Sequence, residues 1–205
     1  MKKFRLMALM AMLVMVAGAS AQVNLGIKGG VNMSNYYGDE LNEKNVKIGF
    51  HVGLAAEYEF VPGSALQTGL FFTTKGLKTE DTDWNAEYSE NLMYLQLPVH
   101  YAYKMDVTPG TRLVFHGGPY IAYGVGGSRK ASVGNINAEW DVDNIFGDGL
   151  VQYKPFDAGL GLGVGAEFGP ILFDLGWDMG LVNISRTSNG DIKNQNAYLS
   201  VGYKF

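Results

Sequence analysis

Three histidines, His51, His100 and His116, stand in stretches where apolar and polar residues alternate, each in the polar set. Imidazoles so placed could ligate a metal or pass protons. If the turn at 105–111 pairs Ala102 with Val114, His100 and His116 face each other across adjacent strands. Two imidazoles could share a Zn²⁺, but a stable site takes three or four ligands. The chain has no cysteine to add. The expectation is therefore hydrogen-bonded histidines and no metal.

The same polar set carries charges of both signs. The cations are Lys28, Lys47, Lys75, Lys104, Arg112 and Lys204; the anions are Glu57, Glu59, Asp157, Glu167, Asp174 and Asp178. Away from water such groups are tolerated only when paired and hydrogen-bonded, so an ion-pair network is expected. The stretch from Glu139 to Gly149, with Asp141, Asp143, Asn144 and Asp148, superficially follows a calcium loop. Ile145 occupies its third-ligand position and the glycine after it is missing, so a solvated acidic loop is expected. Neither Gly-x-Ser-x-Gly nor His-Glu-x-x-His occurs. No catalytic or cofactor-binding residue is nominated, no cofactor is expected, and the chain is expected not to be an enzyme. A net charge of −4 with no basic block argues against nucleic-acid binding.

Strands are the elements that would put these groups on one face. In 92–104, Met93, Leu95, Leu97, Val99, Tyr101 and Tyr103 alternate with Tyr94, Gln96, Pro98, His100, Ala102 and Lys104. Successive strand side chains point to opposite faces, so this is a half-apolar strand. The same period runs through 47–60, 156–168, 171–181 and 197–205, and more noisily through 23–33, 65–75 and 112–125. Eight strands result, each long enough to cross a bilayer when tilted, which takes about 9–11 residues. An even number closes an antiparallel ring and removes the edges that would aggregate.

The composition of the two faces decides which one meets lipid. A soluble barrel would turn its apolar face inward. Here the polar face is rich in glycine, as at Gly159, Gly161, Gly163 and Gly165, while the other carries large aliphatic and aromatic groups and no charge. A narrow interior needs bare backbone; a wet exterior does not. Short turns near 61–64, 106–110 and 169–170 alternate with long stretches near 34–46, 76–91, 126–154 and 183–195. That is the pattern of outer-membrane barrels, with long loops outside. Phe60, Tyr101, Tyr103, Phe168, Tyr203 and Phe205 lie toward the turn ends, where an interfacial girdle belongs.

The first 21 residues read as a secretory signal peptide. Lys2, Lys3 and Arg5 precede the apolar run Leu6–Ala17, and Ala19-Ser20-Ala21 supplies the small residues of a cleavage site. Cleavage is expected between Ala21 and Gln22, leaving 22–205 as the mature barrel domain. The apolar run is too short for a membrane anchor, which takes about 20 residues. Removing three cations takes the net charge from −4 to −7.

Several pieces of the chain resemble the outer-membrane β-barrel proteins of Bacteroidetes-type bacteria, described as PorT-like or "porin family". They are Tyr94-Leu95-Gln96-Leu97-Pro98, the stretch Gly117 to Gly124, the stretch Asp157 to Gly169, and the closing Leu199 to Phe205. The resemblance covers essentially the whole of 22–205. It implies outer-membrane lipid as surroundings and the barrel-assembly machinery as a partner during biogenesis. Tyr203 and Phe205 look like the aromatic signal that machinery reads, although Gly202 stands closer to the end than in the common pattern. A monomer is expected. The expected function is a structural or surface-binding barrel with a side-chain-filled lumen, contacting any surface ligand through loops 126–154 and 79–90. The alternative is a narrow porin-like channel for ions or small solutes.

Overall fold

The computed structural model describes residues 23–38, 46–81, 86–133, 136–140, 145–147, 149, 152–186 and 190–205. The expected signal segment, its cleavage point at Ala21 and Gln22, and the loop residues Asp83, Asp141, Asp143, Asn144 and Asp148 lie outside them. The strands are β1 (Val23–Tyr37), β2 (Lys47–Val61), β3 (Ser64–Asp81), β4 (Ala86–Thr108), β5 (Thr111–Val133), β6 (Ile136–Trp140), β7 (Phe156–Phe168), β8 (Ile171–Gly180) and β9 (Lys193–Lys204).

Each strand is antiparallel to its neighbours. The ring runs β1–β2–β3–β4–β5–β7–β8–β9 and returns to β1. Eight strands thus close an all-β antiparallel barrel, as the alternation leads one to expect. The seam is completed where the Phe205 amide donates to the Leu25 carbonyl at 2.8 Å. The tight turns close through Gly63 and Gly110, whose φ values of 81° and 80° are left-handed and therefore favour glycine.

Two sequence expectations need correction. The stretches 76–91 and 126–154 are in large part strand rather than loop. β3 continues to Asp81, β4 begins at Ala86, β5 continues to Val133, and the additional short β6 pairs with the far end of β5. These extensions rise beyond the apolar band, where neither face must be greasy. The period-2 signal fades there while backbone pairing continues. The second correction is to register: Ala102 pairs with His116 and Lys104 with Val114. The irregularity lies at Asp106–Thr108, which shortens the turn to Thr108–Thr111.

The interior is polar and the exterior apolar. Leu54 and Leu162 are 65 % and 57 % exposed, whereas Lys75 and Asp157 are fully buried. This inverts a water-soluble fold and suits a hydrocarbon solvent, in which a closed barrel satisfies every backbone group internally. Tyr203 and Phe205 point outward at the turn end, their rings 6.1 Å apart.

Candidate functional site: the barrel lumen

The strands bring the lumen side chains into three tiers. At the turn end, Lys104 of β4 bridges Glu57 of β2 and Glu167 of β7, the latter at 2.8 Å. Lys204 of β9 completes the cycle, donating to Glu57 at 2.9 Å and Glu167 at 2.7 Å. Gln67 donates to the other oxygen of Glu57 at 2.8 Å. Arg112 holds Glu59 at 2.9 Å and, at the rim, Asp106 at 3.2 Å. Six strands of the ring are thereby cross-braced by charge-assisted hydrogen bonds, the stronger kind.

In the middle tier Lys28 pairs with Asp174, whose other oxygen lies 2.8 Å from His116 Nε2. His116 Nδ1 lies 3.0 Å from His100 Nδ1, and the two rings stack with centroids 5.2 Å apart. The shifted register makes them diagonal rather than directly opposite neighbours. His51 belongs to another cluster, with Nδ1 2.8 Å from Asn32 Oδ1 and Nε2 2.8 Å from Ser200 Oγ. Among the described residues no group of three or more His, Cys, Asp or Glu could hold a metal ion.

At the long-loop end Lys75 lies 3.4 Å from Asp157 and 4.4 Å from the centre of the Tyr120 ring. Asn194 donates to Asp157 at 2.9 Å. Above them Glu90 accepts from Arg129 Nε at 2.8 Å, from the Tyr153 hydroxyl at 2.6 Å, and from Tyr88. Burial, and then the Glu90 charge, push the Tyr153 phenol well above its ordinary pKa, which keeps it a donor. Lys47 joins none of these tiers; among the described residues its ammonium donates to the Ile48 carbonyl, at 3.5 Å.

The mouth at this end is filled by apolar groups. Ile145 and Ile184 are buried against Tyr36, Leu92, Tyr94, Tyr120 and Ala122, with Phe146 and Tyr153 beside them. Two segments expected to be surface loops therefore send side chains into the barrel. The Tyr153 amide donates to Ile145 and the Lys154 amide to Ile184, both at 2.9 Å, tying the plug together. Sequence reasoning placed Glu90 among the acids of the 79–90 surface loop, whereas it is buried, and missed Arg129 and the plug. The available signal was Ile145-Phe146, an apolar pair inside an acidic stretch. Between the plug and the lower ion-pair cycle, and reaching Glu57, Glu167 and Lys204 of that cycle, lies a cavity of about 120 Å³ lined by polar and apolar groups, roomy enough for several waters.

Glycine makes room for the large lumen groups. A Cβ on Gly163 would come within 2.5 Å of His116 Nε2, and one on Gly176 within 2.3 Å of the Tyr198 ring. Gly176→Ala is expected to cost about 1–3 kcal/mol by overpacking, read as a lower urea midpoint in micelles. An unchanged midpoint would mean that Tyr198 swings aside freely.

Comparison with known proteins bears on the whole barrel. A family model described as "Outer membrane protein beta-barrel domain" matches residues 17–186. No curated protein matches the chain. Among solved structures, the outer membrane protein OprG from Pseudomonas aeruginosa is similar at 12 % identity and TM-score 0.50, over 90 % of this chain and 96 % of that one. A major outer membrane protein from Thermus thermophilus is similar at 15 % identity and TM-score 0.47, over 89 % and 99 %. The attachment invasion locus protein Ail of Yersinia pestis is similar at 16 % identity and TM-score 0.44, over 90 % and 99 %. Identities this low speak to fold alone.

Proposed function

Because this chain belongs to the outer membrane protein β-barrel domain family, we propose that it is a sealed outer-membrane barrel acting through its outer surface, without conducting through its lumen. The observation that carries this reading is closure at both ends. The Lys104–Glu57–Lys204–Glu167 cycle spans the turn end, and the Ile145–Ile184 plug fills the other. Eight-stranded barrels of this size are filled by side chains, whereas aqueous channels come with about 16 strands. Under this reading the turn end is periplasmic and the extended β3–β6 region projects outward, where a scaffold carries its binding residues. No catalytic step is assigned to any residue.

The reading includes export through the signal segment, cleavage before Gln22, and insertion by the barrel-assembly machinery using Tyr203 and Phe205. It also keeps the PorT-like, Bacteroidetes-type affinity and a monomeric state. A narrow channel is the second reading, favoured by the open cavity in mid-lumen.

Single-channel recording of the refolded protein in a planar bilayer separates the two. Silence from a protein whose gel migration is heat-modifiable is expected. Reproducible ion-selective steps would overturn the sealed barrel and promote the channel.

A further inference from the structure

Below the mouth, the ionisable lumen side chains of the described residues are six carboxylates and five cations; Lys47 and the Glu90–Arg129 pair lie beyond them at the long-loop end. Glu57, Glu59 and Glu167 are matched by Lys104, Lys204 and Arg112, Asp174 by Lys28, and Asp157 by Lys75. Asp178 is left over. It is 3 % exposed, and its hydrogen-bond partner among the described residues is the Gln96 amide nitrogen, 2.9 Å from Oδ2. The Lys75 ammonium that pairs with Asp157 also acts on Asp178, but one cation between two buried carboxylates leaves the layer a positive charge short, which is unfavourable in a low-dielectric interior.

Three further acceptors in this layer have no donor among the protein atoms: Gln96 Oε1, Asn196 Oδ1 and His100 Nε2. All belong to buried side chains. The ladders bring them together, pairing Gly161 with Asp178 and Asp178 with Asn196. A Cβ on Gly161 would lie 2.6 Å from Asp178 Oδ1 and 2.8 Å from His100 Nε2, so these two atoms flank one point of the lumen that glycine leaves open. The His100 lone pair follows from its neighbours. In the arrangement with His116 neutral and its Nε2–H directed at Asp174, its Nδ1 accepts from His100 Nδ1–H and His100 Nε2 is an acceptor. Gln96, His100, Asp178 and Asn196 all line the mid-lumen cavity.

Four acceptors and one negative charge define the complement. We propose that this layer binds one small monovalent cation, an ammonium-type ion or an alkali ion, held by Asp178 with Gln96, Asn196 and His100 as neutral donors of lone pairs. Water would supply hydrogen bonds but no charge. A proton on Asp178 would neutralise it and satisfy a single acceptor. A divalent ion would leave the lumen with net positive charge. The layer above differs because Lys75 already provides the cation for Asp157.

The test is thermal unfolding of the refolded protein in micelles. Ammonium, sodium and potassium chloride are compared with tetramethylammonium chloride at equal ionic strength. Tetramethylammonium is bulky and has no N–H. A ligand bound only by the folded state raises the midpoint with its concentration, so a saturable rise is expected in at least one small-cation salt. Asp178→Asn is expected to abolish that rise while keeping heat-modifiable migration. If Asp178→Asn does not fold, Asn196→Leu serves, with an expected weakening of at least about tenfold, in line with other losses around bound ions. A larger effect of ammonium supports the N–H-bearing form, and equal effects support a bare ion. Equal midpoints in all four salts overturn the proposal. So does a salt response that survives Asp178→Asn, or an infrared band of a protonated acid that this substitution removes.

Discussion

Replacing Leu162 with arginine is expected to remove about 2–4 kcal/mol of stability in a bilayer, the cost of a cation at the midplane of a lipid-facing strand. Leu162 lies at the middle of β7, points outward and is 57 % exposed. Its cross-strand partners there are Gly117 and Trp177. In a barrel surrounded by water, the same change at so exposed a position would stay within about 0.5 kcal/mol. Urea unfolding from lipid vesicles reads the difference. A near-zero effect would mean that this face does not meet hydrocarbon, and the inside-out reading of the barrel would fall with it.

Lys104→Met is expected to cost about 3–5 kcal/mol, because it strands buried carboxylates rather than merely deleting a contact. Lys104 is 4 % exposed and bridges Glu57 and Glu167, which are both 6 % exposed. Lys204 would then be the one ammonium left shared by those two carboxylates. Adding Glu57→Gln should recover much of the loss, since the pair act as one unit and their effects are not additive. The measurement is the unfolding midpoint of the single and double variants. A double variant less stable than the sum of both singles would show that the cycle is not the unit described.

Much of the barrel can be read from residue order. The alternation at 92–104 and 156–168 marks the strands, and the charge-free apolar face marks the lipid side. Lys28, Asp174, Lys104, Glu57, Glu167 and Lys204 share one face because strand period is exact in parity, whatever the register. Partner choice is another matter. His100 and His116 were legible as lumen groups, but their contact is diagonal because pairing shifts near the 108–111 turn. Local residues around Asp106 to Gly110 do not specify which of two nearby registers closes the hairpin; the packing of both long strands does. Glu90 and Arg129 lie beyond the apolar band, where alternation carries no face information. Their pairing across β4 and β5 emerges from backbone register alone.

By itself the sequence determined parity: which side chains face lipid, which face inward, and that enough strands exist to close. Those properties depend on composition and the two-residue repeat, both local. The tertiary structure decided closure across β1 and β9, the identity of each ion pair, the entry of Ile145 and Ile184 into the mouth, and the leftover charge at Asp178. Each of these depends on residues far apart in the chain meeting across a ring. Their geometry is set by stagger and tilt of the whole barrel, which no local stretch encodes.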